Sequence, residues 1–365
     1  MKNSFGTALT VTLFGESHGE EIGAVADGFA PGIPIDEEYI ASRLAQRRPT
    51  DGLSTARHEP DEYRIVSGVK DGYTTGAPLT VLIPNTDTRS GDYAETDGIA
   101  RPSHADYTAY CKYHGYEDRR GGGHFSGRLT APLVVLGAIA ATALVERGVT
   151  IGTHIARLAG ISDRGFGEDL QEDIDFLADC PFPVLDTASG SAMRDAILRA
   201  RAEGDSVGGV LETAVTGLVA GVGEPWFDGV ESVLARALWG IPAVKGIEFG
   251  GGFAMCDRRG SEVNDAFFMG EDAPETRTNF SGGIQGGITN GMPLLFRVGI
   301  KPTPTIAKEQ ETVNFLTETE TRVTFGGRHD PAIVHRARAV VDAVTALVLC
   351  DLLAGRYGTD YLAEG

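Results

Sequence analysis

TALTVTLFGESHGEEIGAVA, residues 7–26, alternates apolar and polar side chains from Thr7 to Phe14, breaks at Ser17-His18-Gly19 and resumes an extended pattern over Glu21–Ala26. A period of two is the mark of a strand with one buried face, so the segment reads as strand, turn, strand. A different signal comes from APLVVLGAIAATALV at 131–145, which is apolar all round. At fifteen residues it falls short of the ~20 that span a bilayer, so it reads as a fully buried helix. Outward from these two, extended runs are expected at Tyr63–Val69, Pro78–Ile83, Thr150–Leu158, Gly208–Val219 and Ala243–Phe249. Helices are expected after Asp36 as N-cap, at Ser191–Glu203 and at Gly229–Leu238. A last, long helix should open with Asp330 as cap and Pro331 in its first turn. Gly-rich turns join short extended runs as well as preceding helices. The pattern is α+β with largely antiparallel sheets. No Pro/Ser linker or charge break divides the chain, which reads as one catalytic domain over residues 1–365.

The 49 glycines in 365 residues are roughly twice the usual ~7%. They fall in separated clusters at 121–123, 250–252, 282–283, 286–287 and 326–327, which suits tight turns around ligands rather than a linker. A net charge of -19 argues against a nucleic-acid or anionic-membrane surface. The four cysteines form no CxxC pair, so neither a zinc site nor a disulfide framework is indicated. The N-terminus lacks an apolar signal region, and a cytoplasmic location is expected.

Against that acidity, RPSHADYTAYCKYHGYEDRRGGGHFSGR (101–128) collects Arg101, Lys112, Arg119, Arg120 and Arg128, three histidines and the Gly121-Gly122-Gly123 run. Three glycines allow close backbone approach to a ligand, and flanking Arg and Ser can grip phosphate or carboxylate oxygens. Gly15-Glu16-Ser17-His18-Gly19 also fits G-x-S-x-G, but a nucleophile elbow needs a helix after the turn, where a strand is expected. His18 suits proton transfer, with a turn-capping role as the plainer alternative. His104 could simply start a helix; with Arg101 beside it, an anion-facing role is favoured. Asp330-Pro331 reads equally as a helix cap or as a base beside Arg328 and Gly326-Gly327.

Seven segments in order resemble the chorismate synthase family: GESHG (15–19), RPSHADYT (101–108), RGGGHFSGRLT (120–130), IPAVKGIEFG (241–250), NFSGGIQGGITNG (279–291), KPTPTI (301–306) and GRHDP (327–331). The resemblance implies a helical layer between antiparallel sheets, assembled as a homotetramer. It implies a lyase that converts 5-enolpyruvylshikimate 3-phosphate to chorismate and phosphate by anti-1,4-elimination, the last common step of the shikimate pathway. Reduced FMN is required although nothing is oxidised overall; NADPH or an external flavin reductase would supply the reduction.

Carried over by position, His18 and His104 match the catalytic histidines and Asp330 the carboxylate that helps remove the ring proton. Ser17, Arg47, Arg48, Arg101, Arg128 and Arg328 match the substrate's surroundings. His124, Phe125, Ser126, Pro242, Ala243, Gly286, Lys301, Pro302, Thr303, Pro304, Thr305 and again Arg328 match FMN-contacting positions. Two stretches depart from the family's pattern. QRRPTDGLSTARHEP (46–60) has only Arg57 to stand for a further loop arginine, and His124 replaces an Arg. A Ser17-dependent hydrolase and a non-catalytic FMN-binding homologue remain as rival readings.

Overall fold

The computed structural model describes residues 2–49, 52–54, 60–86, 97–325 and 330–363. Two five-stranded antiparallel sheets enclose a layer of helices. The first runs in the order Ser4–Phe5, Thr10–Gly15, Glu21–Asp27, Leu79–Pro84, Arg64–Ser67. The second runs Val244–Phe249, Leu294–Ile300, Gly209–Thr216, Thr150–Leu158, Ile161–Ser162. Helices Thr130–Val145 and Val334–Tyr357 pack on each other between the sheets, the former also on the first sheet and the latter on the second. Helix Glu37–Arg47 touches both of them. This is the expected sandwich.

The two long helices meet at backbone distance. A Cβ on Gly137 would lie 2.3 Å from the Ala343 Cβ, so the crossing admits no side chain there. Around it Leu136, Ile139, Leu144, Val344 and Leu347 are fully buried, each worth ~1.5–3 kcal/mol of transfer free energy. The apolar helix thus has sheet and helix on its flanks, and its composition answers to the core. Asp351 on the last helix ties down the chain's start: its carboxylate accepts from Thr7, Ala8 and Leu9 N–H at 2.7–3.1 Å.

Most expected elements are present within a few residues. Asp36 caps its helix by accepting from Tyr39 N at 2.8 Å, with Ile40 and Leu44 buried beneath. The last helix differs. It begins at Val334, with Ile333 at the cap position and no side-chain cap, so Asp330 is not its N-cap. Two competing bonds explain this. The Pro331 carbonyl accepts from Val207 N at 2.8 Å, outside any helix, and the Asp330 carboxylate is taken by Arg336 Nη1 at 2.7 Å. Helix Leu170–Ala178, capped by Asp169, strand Leu294–Ile300 and the hairpin Gln310–Asn314/Thr319–Val323 were not expected from the sequence pattern.

Candidate active site

The GESHG turn connects Thr10–Gly15 to Glu21–Asp27 as an antiparallel hairpin, Gly15 pairing with Ile22. No helix follows it, so the hydrolase elbow has no structural basis. Ser17 and His18 are buried, with Ser17 Oγ 3.2 Å from His18 Nδ1. The Gly121–Gly123 run clasps this turn. Gly122 N–H donates to Ser17 Oγ at 3.3 Å, Ser17 N–H to Gly123 O at 3.1 Å, and His124 Nδ1 to Gly15 O at 2.8 Å. Gly121 has φ +63°, and a Cβ there would stand 2.4 Å from His18 Cε1. The close approach that the glycines permit is to His18 itself.

On the other side of Gly121 lies Arg101, whose Nη2 donates to the Gly121 carbonyl at 2.7 Å. The same guanidinium grips Asp106, Nε to Oδ2 at 2.9 Å and Nη2 to Oδ1 at 2.5 Å. His104 Nδ1 lies 2.9 Å from the same Asp106 Oδ1. Burial works to raise the Asp106 pKa, but hydrogen bonds from Arg101 and His104 outweigh it and hold the carboxyl well below its ordinary range. Lys301 Nζ donates to Ser103 O and so brings the KPTPT segment to this loop.

The third part is a buried carboxylate among arginines. Asp61, its side chain 0% exposed and its φ +53°, accepts from Arg47 Nη2 at 2.7 Å and from Arg128 Nη1, with Arg48 Nε 3.7 Å away. Burial pushes its pKa up, yet Arg47 and Arg128 prevail and lower it. Arg128 Nε also donates to Asn85 Oδ1 at 3.2 Å. Asn85 Nδ2 in turn holds the Glu16 and Gly19 carbonyls at 3.0 and 2.9 Å, on either side of His18. Arg336 Nε donates to Arg47 O at 2.8 Å while its Nη1 holds Asp330. One chain of contacts therefore runs from His104 through Asp106, Arg101, the glycines and the His18 turn to Asn85, Arg128, Asp61, Arg47, Arg336 and Asp330.

The remaining expected residues divide. Ser126 accepts from Arg128 N at 3.2 Å, and Phe125, 40% exposed, sets its ring edge-on to Tyr113. Ala243, following Pro242 and itself at φ +73°, accepts from Lys301 N at 3.0 Å. The Thr303 carbonyl accepts from Ser206 Oγ at 2.7 Å, while its own buried Oγ1 has no hydrogen-bond partner among the described residues. Pro302, Pro304 and Thr305 continue that segment outside any helix or strand. Gly286 sits apart, at φ +64° in the turn between Ile284–Gln285 and Ile288–Thr289, whose Gly287 carbonyl accepts from Val230 N. Arg328 and Arg57 lie outside the described residues. Two cavities, of 380 Å³ beside Gly250 and Phe280 and 290 Å³ around Arg43 and Asp342, draw on none of these groups. Sequence reasoning missed Asp61, Asn85 and Arg336, which lie in none of the seven motifs.

The family model for chorismate synthase matches residues 9–354. A chorismate synthase of Pyrococcus abyssi is 44% identical over 353 residues, covering 96% of this chain and 97% of its own. That of Bacteroides fragilis is 41% identical over 352 residues, covering 96% and 97%. A solved structure described as the crystal structure of chorismate synthase superposes with TM-score 0.77 at 28% identity, over 97% of this chain and 94% of that one. The sandwich, the His18 turn clasped by three glycines and a likeness that runs nearly end to end agree, and the chain belongs to the chorismate synthase family.

Proposed function

We propose that the network from His104 to Asp330 carries out the reaction of the family, anti-1,4-elimination of phosphate from 5-enolpyruvylshikimate 3-phosphate to give chorismate, as a single catalytic unit. The observation that carries this reading is the continuity of the network. Both histidines, the carboxylate and Arg47, Arg101 and Arg128 are joined by successive hydrogen bonds although they come from five separate stretches of sequence, with Arg48 3.7 Å from Asp61 beside them.

The substrate brings two carboxylates and a phosphate. Unit charges of one sign ~4 Å apart repel by ~4 kcal/mol near a protein surface, so cations must lie among them. Arg47, Arg48, Arg101 and Arg128 supply these, and Ser17 adds a hydroxyl. In the 1,4-elimination a ring C–H loses its proton, its electron pair forms a double bond to the adjacent ring carbon, the existing ring double bond shifts by one position, and phosphate leaves with the C–O pair. His104 gives a proton to the departing phosphate. Asp330 helps to take the ring proton, held by Arg336. His18 moves a proton on the flavin side of the site.

The residues present fit reduced FMN. Thr303 Oγ1 is a buried hydroxyl with no partner among the described residues, and Lys301, an ammonium with three donors, gives one of them to Ser103 O. Together with His124, Phe125, Ser126, Pro242 and Ala243 they would hold the phosphate and ring. When bound, reduced FMN supplies electron density that eases C–O cleavage and is returned, which reconciles its requirement with a reaction of no net redox change. The flavin is taken to be reduced by an external reductase, since no G-x-G-x-x-G follows a strand in the sequence. Steady FMN-dependent NADPH oxidation by the pure protein would contradict that. A cytoplasmic homotetramer suits the exposed apolar surface at Trp226, Phe227, Phe253 and Met269.

The test is anaerobic. Protein, substrate and photoreduced FMN should release phosphate and chorismate in equal amounts. Phosphate release without chorismate, or flavin binding without turnover, would refute the assignment.

A further inference from the structure

We propose that Asp106 is a positioning residue for this reaction: it fixes His104 in the tautomer with hydrogen on Nδ1, making Nε2 the proton-transfer atom, and through Arg101 it sets the Gly121 backbone against His18. The inference rests on the reading of His104 as an acid–base group.

Three contacts lead to it. An ionised carboxylate has no hydrogen to give, so at 2.9 Å from Asp106 Oδ1 the His104 Nδ1 must be the donor. In the neutral ring the lone pair then lies on Nε2, and in the charged ring the Nε2 proton is the one not engaged by Asp106. The same carboxylate receives Arg101 through its backbone N–H at 2.9 Å and through the Nε/Nη2 fork, the paired geometry that fixes a guanidinium plane. With that plane fixed, the Arg101 Nη2 reaches Gly121 O at 2.7 Å, and Gly121 is the residue whose α-carbon leaves no room between itself and His18. One half-buried carboxylate thereby sets the positions of both histidines. The rival explanation is that Asp106 merely favours its own helix, Asp106–Tyr113, as an acidic first-turn residue. That role would leave the His104 ring indifferent to the carboxylate.

The experiment is long-range ¹H–¹⁵N correlation on ¹⁵N-histidine-labelled full-length protein at about pH 9, where imidazoles are neutral, with His104→Gln to assign the signal. The expected result for the unmodified protein is the Nδ1–H form. Asp106→Asn should move the ring toward Nε2–H, because the Asn amide can donate to Nδ1. It should lower kcat by ~10²–10⁴-fold, the range that general acid–base catalysis contributes. An Nε2–H signal in the unmodified protein overturns the proposal without needing any variant to fold. So does an Asp106→Asn protein that retains the Nδ1–H form or turns over normally. Absence of lyase activity in the unmodified protein would instead overturn the proposed function, and the tautomer measurement would stand apart from it.

Discussion

Gly121→Ala tests the clasp around His18 with one methyl group. The backbone at Gly121 has φ +63°, a conformation that costs a residue with a Cβ ~1–2 kcal/mol. The new Cβ would lie 2.4 Å from His18 Cε1, 2.5 Å from His18 Nδ1 and 3.1 Å from Ser17 Oγ. Carbon contacts settle at ~3.5–4.0 Å, so the ring or the loop must retreat by about 1 Å. Overpacking of this kind costs a further ~1–3 kcal/mol. The sum is a destabilisation of ~2–5 kcal/mol. A displacement of ~1 Å in a catalytic group costs ~10²-fold in rate. Guanidinium denaturation should show the first effect and the anaerobic phosphate-release assay the second. Gly246→Ala, on the second sheet with ordinary φ and nothing within 4 Å of the added methyl, should leave stability nearly unchanged. A Gly121→Ala protein within ~1 kcal/mol of the parent and within threefold in turnover would show that the clasp does not constrain His18.

Asp330→Asn should cut turnover ~10²–10⁴-fold in the same assay while altering stability by less than ~1 kcal/mol, since its ion pair with Arg336 is partly exposed. Asp61→Asn should destabilise by ~3–5 kcal/mol in chemical denaturation, because it leaves buried guanidiniums without their counter-charge; a loss under ~1 kcal/mol would mean that solvent reaches them. His154, fully buried between Asp163 and Glu212 at 3.0 and 3.1 Å, has its pKa lowered by burial but raised more by the two carboxylates, for a net rise. Its stabilisation should be complete below its ordinary pKa of ~6.5 and vanish as pH rises through the higher folded value, so His154→Gln should flatten the fall of melting temperature on the alkaline side.

Local signals were legible because they are local. The alternation of Thr10–Gly15, the unbroken apolar run of Thr130–Val145 and the Asp36 cap each depend on neighbours within one or two turns, and each was read correctly. Asp330-Pro331 carries the same kind of local signal and misled, because Val207 and Arg336 bind the same groups from elsewhere. Strand Leu294–Ile300 alternates as clearly as Thr10–Gly15, yet follows so closely on a glycine-rich turn motif that its own pattern was passed over. The site was legible in its histidines, in Asp330 and in most of its arginines, and illegible in the carboxylates Asp61 and Asp106 that pair with those arginines. Asp61 lies fourteen residues from Arg47 and sixty-seven from Arg128, and nothing in HEPDEY marks it as their partner. Asn85 is equally plain in sequence, one polar residue after a strand, and its role appears only when the strand's end meets the Ser17 turn.

Those carboxylates change how the acidity of the chain bears on its function. With a net charge of -19, a cluster of bare arginines would seem the necessary island for an anionic ligand. The folded protein instead pairs Arg47, Arg48 and Arg128 with Asp61, Arg101 with Asp106, and Arg336 with Asp330. Three guanidiniums around one carboxylate keep two positive charges for a ligand while removing much of the repulsion that would drive them apart, which at ~4 kcal/mol per close pair would otherwise be prohibitive. Because the Asp61 side chain has no solvent exposure, salt screens this arrangement little, whereas the approach of a charged ligand from solvent is screened over ~8 Å at physiological ionic strength. Added salt should therefore slow the capture of a charged ligand well before it loosens the cluster of Arg47, Arg128 and Asp61.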